Sequence, residues 1–191
     1  MKVILISGKA RHGKDTAAGI LQLALAEEGQ SALIAHYADL VKYICEKFFG
    51  WNGVKDEEGR TLLQKVGTDL VRTQQPNYWV DFLISIFKLF PDQWDYVIIP
   101  DCRFPNEIDA IKNAGFETVH VRIVRNNFDN GLTEEQKNHP SETSLDDYKA
   151  DYYLNNDAGM MDLLYAVNNF VQELKGYHQI TFDELEAQCE D

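Results

Sequence analysis

The stretch that most constrains this chain is the N-terminal KVILISGKARHGKDT, in which Val3, Ile4, Leu5 and Ile6 form a short apolar run leading straight into Gly8. The run is too short for a helix and lacks polar alternation, the pattern of a strand buried on both faces of a parallel sheet. From Gly8 the spacing is G-x-x-x-x-G-K, with Gly8, Gly13 and Lys14 in the fixed places, followed by Asp15, Thr16 and an alanine-rich helical run. Strand, glycine loop and helix in that order form a phosphate cradle. Backbone N–H groups curl around phosphate oxygens at the positive end of a helix dipole. Gly8, Lys9, Ala10, Arg11, His12, Gly13, Lys14, Asp15 and Thr16 are therefore the expected ATP-phosphate loop. Lys14 supplies a mobile cation for the β- and γ-phosphates, and the Thr16 hydroxyl helps to place Mg²⁺. The usual Ser/Thr directly after the lysine is replaced by Asp15, with Thr16 one place later. That displacement points away from GTPases and motor ATPases and toward small-molecule kinases.

Beyond the loop, the pattern alternates strands and helices. A helix is expected over 15–28, a strand over 31–36, and a helix from Leu40 capped by Asp39. Residues 51–60 read as a polar surface loop, 62–71 and 78–90 as helices, and 95–100 as a third strand ending at Asp101. Residues 39–90 are thus a helical excursion far longer than a crossover requires, and such insertions form binding surfaces. An acidic residue at the carboxyl end of a buried strand beside a phosphate loop is placed to hold the water shell of Mg²⁺, which assigns Asp101 to the metal through water. A helix over 106–113, a strand over 118–124 with Arg122 and Arg125 near its end, and an irregular 126–146 segment read as a lid come next. A strand over 150–154, a helix over 161–174 and a capping box at Thr181 and Glu184 close the chain. The fold expected is α/β: three layers, a parallel sheet of about five strands, all in one domain spanning 1–191. Ligands in such a fold sit at the carboxyl ends of the strands, where Gly8, Asp39, Asp101 and Arg125 should converge.

Composition narrows the partners. With 31 acidic against 18 basic residues the formal net charge is −13, and no Lys/Arg-rich block offsets it. The surface repels polynucleotides and anionic membranes, so neither is an expected partner, and an anionic substrate must meet a local island of cations. Cys45, Cys102 and Cys189 are scattered without metal-ligand spacing, as suits reduced thiols in a cytoplasmic protein. No apolar run approaches a membrane span, and no signal peptide is read at the N-terminus. The oligomer is left open, with a homodimer among the alternatives.

Four stretches together resemble the phage-type deoxynucleoside monophosphate kinases: the 8–16 loop, Asp101-Cys102-Arg103-Phe104-Pro105-Asn106-Glu107, His139-Pro140-Ser141-Glu142 with Leu145, and Asn155-Asn156-Asp157. Residues 63–82 are similar as well. The loop alone is shared by a whole superfamily, whereas DxRFPNE with H-x-S-E is much narrower. The resemblance implies transfer of the γ-phosphoryl group of ATP to a nucleoside monophosphate with Mg²⁺, on a core with a substrate-binding insertion and a lid. It implies that Lys14 holds ATP phosphates and that Arg103 is a substrate-phosphate clamp; Arg125 joins these two as a catalytic candidate, and Asp39, Lys42, Arg72, Trp79, Arg103 and Glu142 are the substrate-binding candidates. Phosphomevalonate kinases of the animal type share the GKD loop, and a nucleotide-dependent regulatory binder would keep the loop without a second anion site.

Several residues carry two readings. Arg72 either reaches a monophosphate or packs helices, and Trp79 either stacks a base or fills the core. Arg103 either clamps phosphate or pairs with Asp109 or Glu107. Asp15 either contacts substrate or caps the first helix, Asp39 either binds or only caps, and His139 is either a site residue or a solvated loop histidine. The expected lid is poor in cations, with Lys137 and His139 only, which leaves Arg11, Arg122 and Arg125 to neutralise charge.

Overall fold

The computed structural model describes residues 1–176. The N-terminal run is β1 (Lys2–Ser7), and α1 (Lys14–Glu27) follows the glycine loop. Next come β2 (Ala32–Ile34), α2 (Tyr37–Phe48), α3 (Glu57–Gln64), a π-helical stretch (Lys65–Arg72) and α4 (Tyr78–Leu89). The order continues with β3 (Tyr96–Ile99), α5 (Pro105–Asn113), β4 (Glu117–Val124) and the one-turn helices α6 (Glu134–Lys137) and α7 (Pro140–Thr143). β5 (Tyr152–Asn155) and α8 (Met160–Leu174) complete it. The capping box at Thr181 and Glu184, and Cys189, lie outside the described residues.

Among the described residues the strands form one parallel sheet in the order β2-β3-β1-β4-β5. β1 is the central strand, and alternate side chains enter two separate cores. Val3 and Leu5 join Val97 and Ile99 against α2, α4 and α5. Ile4 and Ile6 join Ile98, Val121 and Ile123 against α1 and α8. Both faces are covered, which is why the strand reads as an unbroken apolar run. The chain crosses from one side of β1 to the other between β3 and β4, so the loop after β1 opens at the switch in strand order, flanked by the ends of β3 and β4.

The expected α/β three-layer architecture is the observed one, and the differences are local. α2 begins at Tyr37 rather than Leu40, because His36 is its N-cap and the Asp39 carboxylate, on the first turn, accepts the His36 backbone N–H at 3.3 Å. The stretch read as a loop over 51–60 already contains the start of α3, capped by Asp56, whose carboxylate accepts the Gly59 N–H at 2.8 Å. The 62–71 helix runs from α3 into the π-helical stretch, ending in a Thr73 N–H bonded to the Thr68 carbonyl. The 126–146 segment holds two short helices.

Phe87 of α4 is fully buried and meets Phe116 edge-to-face at 6.0 Å between centroids. Phe87→Ala should cost about 3–5 kcal/mol by urea unfolding, and a loss below about 1 kcal/mol would show that α4 does not anchor this layer.

Candidate active site

The loop after β1 has the curvature an anion requires. Arg11 (φ 62°) and Gly13 (φ 96°) bracket His12 in left-handed conformations, so consecutive amides face one concavity above the N-terminus of α1. Gly8 (φ 145°) admits no side chain, since a Cβ there would stand 2.6 Å from the Ile123 carbonyl oxygen. The His12 carbonyl is held by the Asn156 amide at 2.9 Å. The Lys14 ammonium folds back on its own loop, donating to the carbonyls of Gly8 (2.8 Å) and Lys9 (2.9 Å), and its side chain is buried. Burial, then the nearby Arg103 charge, bring Lys14 down to about 8, against the pull of Glu142, Asp15 and Asp101.

The end of β3 supplies the opposite wall. Both Asp101 oxygens face the first turn of α2, accepting the N–H groups of Tyr37 (3.1 Å) and Ala38 (3.0 Å). Burial raises the Asp101 carboxyl, and these donors oppose the shift. Two residues on, Arg103 donates to the Ser141 carbonyl at 3.0 Å and forms an ion pair with Glu142. It pairs with neither Asp109 nor Glu107 through its side chain, because the 126–146 segment brings the Glu142 carboxylate closer. Instead the Arg103 backbone N–H donates to Glu107 at 2.7 Å. The other oxygen of Glu107 holds Arg72 at 2.6 Å, with Glu107 only 2 % exposed.

The 126–146 segment lies directly over the loop. Glu142 accepts the Ala10 backbone N–H at 2.8 Å while pairing with Arg103. Lys9 donates to the Glu142 carbonyl at 2.6 Å and to Asp146 at 2.5 Å, and Arg11 donates to the Asn130 carbonyl at 2.9 Å. A small cavity of about 260 Å³ lies beneath, where Lys9, His12, Arg103, Arg122 and Arg125 meet. Beside it opens a larger cleft of about 750 Å³ between the 39–90 excursion and the 126–146 segment. Its wall includes Ala10, Tyr37, Lys42, Arg72, Asp101 and Arg103. At its rim Gln64 of α3 meets the His139 ring at 2.9 Å, which ties the two segments together.

The structure therefore gathers Gly8 to Lys14, Asp101, Arg103, Arg125 and Glu142 around the loop, and Lys42, Arg72, Trp79 and Arg103 around the cleft. Thr16 is exposed on the first turn of α1. Asp15 is not the helix cap, which is Gly13; its carboxylate bonds the His36 ring at 3.1 Å, raising that imidazole and lowering the aspartate. Asp39 does not line the cleft but turns outward to Lys42, 2.7 Å away. Trp79 is a wall rather than an open stacking platform: it is 3 % exposed, and its indole N–H donates to the Gly67 carbonyl at 2.9 Å. Arg122 spends its guanidinium on the carbonyls of Leu145, Asp146 and Tyr148 and holds residues 145–148 in place. Arg125 lies over the Phe128 ring at 3.8 Å to the centroid. Sequence reasoning offered Glu107 only as an alternative partner for the Arg103 side chain, and gave no role to the Tyr37 and Ala38 amides. Glu107 stands four residues after Arg103 at the first turn of a helix, a spacing that marks a carboxylate turned back on its own N-terminus.

A parallel sheet of this strand order with a phosphate loop after its central strand is the fold of the P-loop kinases. The APS kinase CysC of Mycobacterium tuberculosis shares it, with 13 % identity and a TM-score of 0.50 over 91 % of this chain and 96 % of that one. Within that class the particular family is shown by sequence: the profile described as deoxynucleotide monophosphate kinase matches residues 52–167, and this chain belongs to that family. The deoxynucleotide monophosphate kinase of Enterobacteria phage T4 is 31 % identical over 126 residues, 64 % of this chain and 49 % of that protein. The uncharacterized protein ORF77 of Ictalurid herpesvirus 1 (strain Auburn) is 31 % identical over 150 residues, 76 % of this chain and 60 % of that protein. The chain thus spans about half to three-fifths of the length of these curated relatives. The profile match begins beyond the phosphate loop, so loop and family are two separate indications.

The buried ammonium gives a direct test. In the nucleotide-free protein the Lys14 side chain should titrate near 8, read from its Cε resonance with Lys14→Arg for assignment. A midpoint at or above the ordinary lysine value, about 10.4, would show that the loop does not desolvate it.

Proposed function

We propose that this chain transfers the γ-phosphoryl group of ATP to a deoxynucleoside monophosphate, giving ADP and the deoxynucleoside diphosphate. The observation that carries the reading is the carboxylate of Glu142, held at once by the loop amide of Ala10 and by Arg103 of the cleft. A single anion bridging the donor loop and the acceptor wall marks a point where a transferring phosphoryl group would be stabilised from both sides. Family membership and the T4 relative's name support the same chemistry.

In this reading an oxygen of the acceptor phosphate attacks the γ-phosphorus, the bond to the β–γ bridging oxygen breaks, and ADP leaves with that electron pair. The attacking oxygen is already an anion, so positioning and charge neutralisation are what the protein must provide. Gly8 to Thr16 cradle the donor phosphates, Lys14 swings from the Gly8 and Lys9 carbonyls onto the transferring group, and Arg103 and Arg125 neutralise the charge that builds on it. Arg72 and Arg103 take the acceptor phosphate, Lys42 stands at the rim, and Trp79 backs the cleft. The 39–90 excursion is the acceptor site and 126–146 the lid. Asp101 and Thr16 fit Mg²⁺ held through water and phosphate: the donor set is one carboxylate with both oxygens already sharing amides, too sparse for an all-protein cage. When bound, the ion would neutralise phosphate charge.

A coupled assay of ATP against dNMPs, NMPs and phosphomevalonate tests the reading, and turnover of none of the dNMPs would overturn it. Arg103→Lys cannot reproduce a guanidinium fork. It should raise the dNMP KM about tenfold or more with the ATP KM nearly unchanged, whereas an effect confined to ATP would move Arg103 to the donor side. Asp101→Asn should raise the Mg²⁺ requirement and lower turnover together, and an unchanged Mg²⁺ titration would leave Asp101 as an acceptor for the first-turn amides of α2 alone.

A further inference from the structure

The geometry points to Glu107 as the positioning residue of the acceptor site, one buried carboxylate that sets both arginines of the phosphate clamp; this rests on the acceptor cleft proposed above. Arg72 arrives from the π-helical stretch of the excursion and Arg103 from the end of β3, elements far apart in sequence. Glu107 joins them. One of its oxygens holds the Arg72 guanidinium at 2.6 Å. The other accepts the backbone N–H groups of Arg103 (2.7 Å) and Phe104 (3.1 Å), fixing the turn from which the Arg103 side chain projects. The Phe104 ring in turn lies under Arg72, 4.1 Å from the guanidinium carbon. Arg72 is thus fixed along one edge and one face.

One edge of that guanidinium is left without a protein partner. The Arg72 Nη1 group is buried and has no hydrogen-bond partner among the described residues, and Arg72 lines the cleft. The Tyr37 hydroxyl, on a side chain 4 % exposed and lining the same cleft, is likewise buried without a partner. Two buried donors without partners, on residues that both line the cleft, call for an acceptor-rich group, which an acceptor phosphate supplies once the wall yields to it. A carboxylate serving only the helix N-terminus would need neither Arg72 nor an unpartnered guanidinium edge beside it.

The test is a double-mutant cycle with Glu107→Gln and Arg72→Gln, read in kinetics and, by calorimetry without ATP, in the Kd of dAMP, dCMP, dGMP and dTMP. Glu107→Gln should raise the dNMP KM and Kd about ten- to a hundredfold with the ATP KM within about twofold. Arg72→Gln should raise them in the same direction, and the double variant should be no worse than Glu107→Gln alone, because the carboxylate acts on Arg72 only through the guanidinium already removed. Additive losses, or equal losses for ATP and dNMP, would overturn the assignment and leave Glu107 as a fold anchor. The double variant buries no unpaired charge, so if a single variant fails to fold, a double variant that folds and keeps wild-type dNMP affinity overturns it too. A wild type that binds dNMPs without phosphorylating them would sink the proposed reaction but leave the role of Glu107 measurable by calorimetry. A wild type that binds none of the four overturns both.

Discussion

The site depends first on β1 having no wet face. Val3 and Leu5 are sealed under α2, α4 and α5, while Ile4 and Ile6 are sealed under α1 and α8. Burial on both faces makes β1 the central strand, and centrality puts its following loop where the ends of β3 and β4 can reach it from either side. Asp101 and Arg103 reach it from one side and Arg125 from the other. The Ile123 carbonyl lies so close to Gly8 that the same packing forbids a side chain there. The sheet core and the phosphate loop are one constraint seen at two scales.

The second constraint is charge. A chain of net charge −13 has to concentrate cations where an anion must bind, and each cation has to be kept in place while no anion is present. The structure uses its own carbonyls and carboxylates: Gly8 and Lys9 carbonyls for Lys14, Glu107 for Arg72, Glu142 for Arg103. Lys14 shows the cost of the arrangement, since burial lowers its affinity for the proton that gives it charge.

Much of this was legible in the sequence, and the limits follow from physics. Gly8, Gly13 and Lys14 were legible because phosphate binding fixes their spacing, and the strands because burial on two faces erases polar alternation. The start of α3 was hidden because Asp56, Glu57 and Glu58 serve equally as a loop and as a capped first turn. The π-helical stretch has no composition of its own to announce it. Trp79 could not be assigned, since the same amphipathic run serves a base-stacking face and a core, and only the Gly67 carbonyl decides. The contact of Glu142 with Ala10 joins residues 132 apart, a distance no local pattern encodes.

The two carboxylates that restrain the arginines are not equivalent. Glu107 sits within the core at the first turn of α5, and its second oxygen is committed to backbone amides, so releasing Arg72 would strand a buried charge. Glu142 belongs to a short helix of the 126–146 segment, and its side-chain partners are one loop amide and one arginine. Arg72 is therefore held by a carboxylate of the core, and Arg103 by a carboxylate of the 126–146 segment. Through the two oxygens of this one side chain the 126–146 segment is tied at once to the phosphate loop and to the end of β3.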